Sequence, residues 1–498
     1  MTPKSRYVET DGDDLVWERL DQTTEEWCAS LGSREVYRAI GDFILKHRKG
    51  EPEMMHPAMK GGYNIAFRME YKDGSSVVLR VPIKGLVPFP EEKIRYEVAT
   101  MRYISAHTTI PVPHVYHYGS ATENPTGLGP FIIMDYIDHH QNMSRELLDP
   151  TRPHDERPML DPHISEEKLT NLYSQMANIL LQLDSLKFSG IGSLMETPSV
   201  EGSTPTISVT GPPLTTNMVD LVVHTSAPSS ILPSRTYVST KDWLSSLADM
   251  HTAQLALQHN DAVEDEDDAR DKYVARQLFR NLAREGRLAS DKDDLETEFR
   301  LFSEDFRPAN VLLDENLQVV GVIDWEFAYA APSQFSFDPP WWLLLSEPEN
   351  WPDGFRPWME IYERRLKTFL RAMESEEQKL ATTDLVNGVN NLSLTDGTKR
   401  LVPLSQRMRE SWENKLWMLN YAARKSWAFD WFWWKYLDQR YHGPNDDEDH
   451  QIRLCLLTEP QKNLMDSFIA RKMRESEEPK VVKLSDEDAA RLLREVLI

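Results

Sequence analysis

Apolar residues recur at helical spacing in two stretches near the start of the chain. The first holds Val16, Leu20 and Trp27, the second Val36, Ile40, Phe43, Ile44 and Leu45. They predict two short helices within residues 15–49. From Lys60 the period shortens. Residues 64–71 alternate as a half-buried strand does, Lys72-Asp-Gly-Ser75 supplies a turn, and residues 76–81 read as a second strand. Val98, Met101 and Ile104 mark one face of a helix over about 91–108, which Pro111 and Pro113 prevent from continuing. Residues 115–118 and 131–136 read as two more strands.

The period is mainly helical after that. Leu169, Leu172, Met176, Ile179, Leu180 and Leu183 define one helix, and residues 241–260 and 271–285 read as two others. Between and around them lie expected irregular insertions. Residues 199–234 are rich in Ser, Thr and Pro, 261–271 carry the acidic run Glu264–Asp268, and 375–398 are polar. Short strands are expected at 311–313 and 319–323. The tryptophans 412, 417, 427, 431, 433 and 434 read as buried helix packing rather than a ligand box. This order divides the chain into a helical extension (1–55), a small strand-rich lobe (56–137) and a large helical lobe (138–498). The catalytic segment is expected at 301–345.

Composition narrows the partners. The chain has 498 residues, 40% of them hydrophobic, which is enough for a sizeable core. A formal net charge of -24 repels nucleic acid and anionic membrane and tolerates a cationic substrate. With only Cys28 and Cys455, disulfides cannot staple a chain this long, so a reducing compartment is expected. The first residues are polar, and no apolar run approaches the ~18 residues of a membrane span. A cytoplasmic protein without nucleic-acid, membrane or protein partners is the resulting expectation.

The chemistry concentrates in Leu301-Phe-Ser-Glu-Asp305-Phe-Arg-Pro-Ala-Asn310 and Val319-Val-Gly-Val-Ile-Asp324-Trp-Glu326. Phosphoryl transfer needs oxygen ligands for a divalent metal and a separate carboxylate to orient the attacking hydroxyl. Asp305 sits in a loop before a strand pair, Asn310 closes that loop, and Asp324 ends an apolar strand. The hairpin between them brings the three together.

These motifs resemble the aminoglycoside phosphotransferase and choline kinase group, and more closely the fungal phosphotransferase-family proteins. The family loop His-Gly-Asp-x-x-x-x-Asn is matched at Asp305 and Asn310 by Ser303-Glu-Asp-Phe-Arg-Pro-Ala-Asn310. Its metal motif is matched throughout by Ile323-Asp-Trp-Glu326. The resemblance implies an α+β, bilobal, protein-kinase-like fold. It also implies ATP and magnesium as cofactors, a small-molecule hydroxyl or amine as acceptor, Asp305 as base, and Asn310 and Asp324 as metal ligands. The family histidine, which supports loop geometry, is Ser303 here. That departure keeps a second reading open, a catalytically impaired nucleotide-binding scaffold. The short interval from Asp324 to Ala330-Ala-Pro leaves little room for the activation segment of a protein kinase.

At the nucleotide end, Lys60-Gly61-Gly62-Tyr63-Asn64 precedes a strand, and its paired glycines let backbone approach phosphate. Arg80 stands alone among aliphatics in its strand and calls for a partner. Glu97 on the following helix is the expected one, forming the cation–glutamate pair that the resemblance places at the phosphates. The resemblance further implies an interlobe hinge at Phe131–Ile137, with Met134 and Ile137 against the adenine and bare backbone groups at its edge. Asp338 is expected to hydrogen-bond backbone as a scaffold group, and Arg307 to contact loop or substrate.

Overall fold

The burial of residues 64–71 sets the layers of the first lobe. In this strand Ile65, Phe67, Met69 and Tyr71 are buried and the positions between them half-exposed. The computed structural model describes residues 12–153, 156–197, 205–289, 298–387, 395–396, 399–400 and 402–497. Two helices come first, α1 (Asp14–Ser30) and α2 (Arg34–His47). The strands are β1 (Pro52–Met55), β2 (Met59–Lys60), β3 (Asn64–Tyr71), β4 (Ser76–Pro82), β5 (Val115–Gly119) and β6 (Phe131–Asp135). They form one antiparallel sheet in the order β1-β3-β4-β6-β5, with β2 also paired to β3. β4 is therefore internal, and Arg80 is not an edge-strand cation.

One face of this sheet is sealed by α2. Its Ile40, Phe43 and Ile44 pack with Phe67, Leu79, Phe131 and Ile133. Residues 34–55, expected as an extension, thus complete the first lobe. α3 (Pro90–His107) lies on the other side, where Ile94, Val98, Met101 and Ile104 join Ile132 and Met134 in the main core. Pro90 suits a first helical turn, because its missing N–H has no partner to lose there.

The second lobe is chiefly helical. Glu166–Ser185 packs along Phe355–Asn387, and Thr240–Leu257 along Glu266–Glu285. All three expected irregular insertions contain regular structure. Ile207–Gly211 pairs with Ser193–Glu196, and Thr216–Thr225 is a helix whose Thr215 hydroxyl accepts from Met218 N at 3.2 Å. Threonine serves both roles, as a β-branched strand residue and as an N-cap. The acidic run does not form a loop either. Asp265 caps a helix by accepting from Asp268 N at 2.8 Å, and Glu266, Asp267 and Asp268 fill its first turn, where negative charge complements the helix dipole. The polar stretch from 375 continues a helix to Asn387, since Glu, Gln, Lys and Ala are strong helix formers whatever their polarity. The expectations for residues 1–11, 199–204, 388–394 and 397–398 fall outside the described residues.

Trp412, Trp417, Trp431, Trp433 and Trp434 are buried, with Trp412 stacked on Trp417 at 5.3 Å and 12°. No helix among the described residues is long and apolar enough to cross a membrane.

Candidate functional site

The strand Phe299–Ser303 pairs antiparallel with Ala328–Pro332 and delivers the chain into the loop that carries Asp305. Glu304 N donates to Phe327 O at 3.2 Å, fixing the exit of that strand. Pro308–Asn310 forms a short 3-10 turn that leads into Val311–Leu313, which pairs with Val319–Val322. Asn310 ties the parts together. Its Nδ2 donates to Asp305 O at 2.8 Å and to Asp305 Oδ2 at 3.0 Å, while its own carbonyl accepts from Ile323 N at 3.0 Å. Asp324 comes next, at a φ of +60°. A left-handed backbone is unfavourable for most residues and least so for Asn and Asp. Here Arg80 Nη1 holds the side chain, donating to Asp324 Oδ1 at 2.7 Å.

Asp305, Asn310 and Asp324 thus converge on one interlobe cleft of about 810 Å³. Gly61, Gly62, Asn64, Arg80, Met134 and Ile137 line the same cleft. Glu97 lies behind it, paired with Arg80.

Charge in the cleft wall is nearly balanced. Oxygens of Glu97, Asp324 and Glu326 all lie within 4.8 Å of one another. Arg80 bridges Glu97 and Asp324, and Lys93 pairs with Glu326. The side chains of Glu97 and Glu326 are 1% and 3% exposed, whereas that of Asp324 is 31% exposed. The first two serve their cations, and Asp324 is the carboxylate that faces the cleft. Burial pushes the Asp305 carboxyl up to about 6. Arg307, whose Nε is 2.9 Å away, and Asn310 pull it down, while Asp324 and Glu326 push it further up.

The glycine-rich segment is the β2–β3 turn, closed by Gly61 N donating to Asn64 O at 2.8 Å. A Cβ on Gly62 would meet nothing within 4 Å, so no packing in the protein requires that glycine. The Asn64 side chain is not free for a ligand. Its Nδ2 donates to Glu326 at 2.8 Å and its Oδ1 accepts from Lys93 at 2.6 Å, which anchors the turn to the Ile323–Glu326 segment. At the hinge, the N–H groups of Asp135 and Tyr136 are taken by His114 O at 2.9 Å and Ser76 O at 3.1 Å. The bare edge expected there narrows to the Ile137 N–H, which makes no hydrogen bond among the described residues. Gly321 lets Ile137 close over the cleft floor, since a Cβ there would lie 2.6 Å from Ile137 Cδ1.

Several cleft residues carry no motif. Ala66 and Val78 from the sheet, with Leu312 and Ile323 opposite, complete an apolar slot beside Met134 and Ile137. The alternation of β3 does put Ala66 on the face opposite Phe67, the one available sign. Lys93, on the same helix as Glu97, is fully buried. Asp338 differs from its expectation. Its partners are the Ser411 hydroxyl at 3.0 Å, Asn420 Nδ2 at 2.8 Å and Arg424 at 3.5 Å, all side chains, and it lies outside the cleft lining.

The support of the Asp305 loop also differs from the family pattern. Ser303 Oγ is buried without a hydrogen-bond partner among the described residues. Glu304 stands where the family loop has glycine, and its Oε2 accepts from Thr216 N at 2.9 Å and Thr216 Oγ1 at 2.7 Å. The loop is therefore clasped to the start of the helix Thr216–Thr225. Burial raises the Glu304 pKa, with Arg424 and the Thr216 bonds opposing it. Glu304→Gly restores the family residue but cuts the clasp. It is expected to lower turnover by up to about 10²-fold through misplacement of Asp305, with nucleotide affinity unchanged. Steady-state kinetics beside calorimetry check this; equal turnover removes the clasp from the account.

A family model described as the phosphotransferase enzyme family matches residues 57–376. A subtelomeric hrmA-associated cluster protein of Aspergillus fumigatus is 26% identical over 144 residues, 28% of this chain and 25% of the relative. Altered inheritance of mitochondria protein 9, mitochondrial, of Saccharomyces cerevisiae is 26% identical over 171 residues, 33% of this chain and 25% of the relative. The match spans about a quarter of the length of each curated relative. Among solved structures, the macrolide 2'-phosphotransferase MphH from Brachybacterium faecium is 12% identical, with 80% of this chain and 97% of that one covered at a TM-score of 0.37. The family match covers well over half of the sequence, including the whole cleft wall from the glycine turn to Glu326, and so the chain belongs to the phosphotransferase enzyme family.

Proposed function

We propose that this protein transfers the γ-phosphoryl group of ATP, with magnesium, to the hydroxyl, or less often the amine, of a small molecule. The observation that carries this reading is the meeting of Asp305, Asn310 and Asp324 at the mouth of a cleft that ends in an apolar slot. The donor set suits magnesium, which prefers oxygen ligands and takes one or two from protein. Asp324 offers a carboxylate facing the cleft, and Asn310 offers its amide oxygen because its nitrogen is committed to Asp305. When bound, the metal neutralises charge on the phosphates.

The chain's own residues divide the remaining work. Met134, Ile137, Ala66, Val78, Leu312 and Ile323 accept the adenine, whose edge meets the Ile137 N–H. The Gly61-Gly62 turn lies over the phosphates, and Arg80, held by Glu97, adds positive charge on their inner side. Asp305 Oδ accepts the proton as the acceptor oxygen forms its bond to the γ-phosphorus and the bond to the β-phosphate oxygen breaks, releasing ADP. Arg307 orients the Asp305 carboxylate.

ATP-dependent phosphorylation in a small-metabolite extract, read by mass spectrometry, tests the reading. Products that carry one added phosphate and vanish without magnesium support it. No product, with nucleotide-dependent thermal stabilisation still present, favours the second reading, a nucleotide-binding scaffold; the Ser303 hydroxyl, without a hydrogen-bond partner among the described residues, is the observation behind that alternative. Only three residues separate Asp324 from the strand beginning at Ala328, which leaves no activation segment of the protein-kinase kind. A cytoplasmic site of action fits the unpaired Cys28 and Cys455, while the mitochondrial name of the yeast relative makes that organelle the competing compartment.

A further inference from the structure

A second cavity of about 590 Å³ opens beside the acceptor end of the cleft and shares Gly62, Tyr63, Thr216, Asp220, Arg424 and Lys425 with it. Beyond that shared border its character changes. Trp17, Leu86, Val219, Val223, His224 and Trp427 line it. Trp17 lies parallel to the His224 ring, with centroids 5.7 Å apart and 13° between planes, and His224 meets Trp427 at 5.3 Å. Burial lowers the His224 pKa, so the ring between the two indoles is neutral near pH 7. Trp17 remains 46% exposed, an unusual position for a tryptophan whose only duty is packing. Two polar groups in the cavity wall have unused capacity among the described residues, His224 Nδ1 and the Asn217 side chain. Asn217 is 3% exposed, and its Oδ1 accepts from Ser426 N at 3.0 Å while its Nδ2 has no hydrogen-bond partner among the described residues.

The border is polar and the far end is aromatic. Lys425 marks the crossing. Burial opposes its charge, but Glu347 and Glu349 outweigh that and raise its pKa, so it stays an ammonium. A volume within the ~300–1,000 Å³ of ordinary ligand sites, with an aromatic far end beyond a border that holds Asp220, Glu349, Arg424 and Lys425, is what a flat apolar group with a polar head fills. We infer that the phosphate acceptor is an extended alcohol whose planar apolar tail lies in this side cavity while its hydroxyl reaches Asp305. The inference rests on the phosphotransfer reading for the role of the hydroxyl, but not for the occupancy of the cavity. Two walls come from segments outside the nucleotide-binding part: α1 supplies Trp17, and the helix Thr216–Thr225 supplies Val219, Val223 and His224. The helix that Glu304 clasps to the Asp305 loop therefore also forms the tail site, so tail and hydroxyl are positioned by one element.

The test uses the full chain with magnesium and ADP, and 2-(2-naphthyl)ethanol as probe, with glycerol as the comparator lacking a ring. Saturation-transfer NMR and tryptophan fluorescence are expected to show binding of the naphthyl alcohol at about 1 mM or below, a modest affinity for so small a ligand, and none of glycerol. Trp427→Ala is expected to weaken it about tenfold, and Trp17→Ala, at a half-exposed position where folding is not at stake, about three- to tenfold, a loss of the size one aromatic contact gives. No saturation transfer from the naphthyl alcohol, or binding that both tryptophan variants leave unchanged, overturns the inference. Probe binding without phosphate transfer to any acceptor would keep the tail site and remove the phosphotransfer reading. Transfer to ring-free alcohols without probe binding would do the reverse.

Discussion

Asp305→Ala is expected to lower turnover about 10²–10⁴-fold, the range for loss of a positioned general base, while magnesium-dependent nucleotide affinity stays within a small factor. The two effects separate because Asp305 touches the loop and the acceptor side, through Arg307 and Asn310, and makes no contact with Arg80. Its pKa of about 6 gives the reaction an acid limb: activity with saturating magnesium is expected to fall as pH drops through about 6. The same shift predicts a gain in stability on substitution. A carboxyl whose pKa is raised on folding, here from 3.8 to about 6, leaves the fold progressively less stable as pH rises between those two values, and the loss is complete above about pH 6. The upper bound is about 3 kcal/mol at about 1.4 kcal/mol per pKa unit. Asp305→Asn should therefore be slow but more heat-stable than the parent at pH 7.5, with the advantage gone at pH 4. Differential scanning calorimetry at the two pH values and single-turnover kinetics read both halves. An Asp305→Ala protein that turns over normally with any acceptor takes the base role away from this residue.

Within the first lobe, β3 could be read from the sequence because its two faces differ. In β3 the alternation of Ile65, Phe67, Met69 and Tyr71 with polar or small residues follows directly from one face packing on α2. Phe299–Ser303 and Ala328–Pro332 escaped notice for the opposite reason. They are buried along most or all of their length, and a run such as Ala-Tyr-Ala-Ala has no period to separate strand from helix. The helix Thr216–Thr225 was hidden by its surroundings, as Ser, Thr and Pro around it read as loop although Thr215 is its cap.

At the site, spacing along the chain was enough to group Asp305, Asn310 and Asp324, because a short hairpin joins them. Nothing in local sequence told that Lys93 would meet Glu326, or that Glu304 would reach Thr216, since these contacts join residues far apart in the chain. Arg80 and Glu97 were paired correctly, but the second bond from Arg80 to Asp324 came from the closing of the two lobes.

That second bond sets the terms for Asp324. Three carboxylates, Glu97, Asp324 and Glu326, face two buried cations, Arg80 and Lys93, so the cluster carries one excess negative charge. Removing the Asp324 carboxylate brings the formal sum of this cluster to zero and leaves the cluster no excess charge to attract a divalent ion. Asp324→Ala is accordingly expected to abolish the magnesium-dependent part of ATP binding. Alanine also inherits the left-handed backbone at φ +60°, at a cost of about 1–2 kcal/mol, so its stability should drop as well. Asp324→Asn separates the causes. Asparagine tolerates that backbone and can still accept from Arg80, yet it lacks the charge. It should fold like the parent and bind ATP equally well with and without magnesium. Isothermal titration of ATP with magnesium or with chelator gives the answer directly. If magnesium strengthens binding to the Asn variant as much as to the parent, the excess charge resides elsewhere and Asp324 is a scaffold for Arg80 alone.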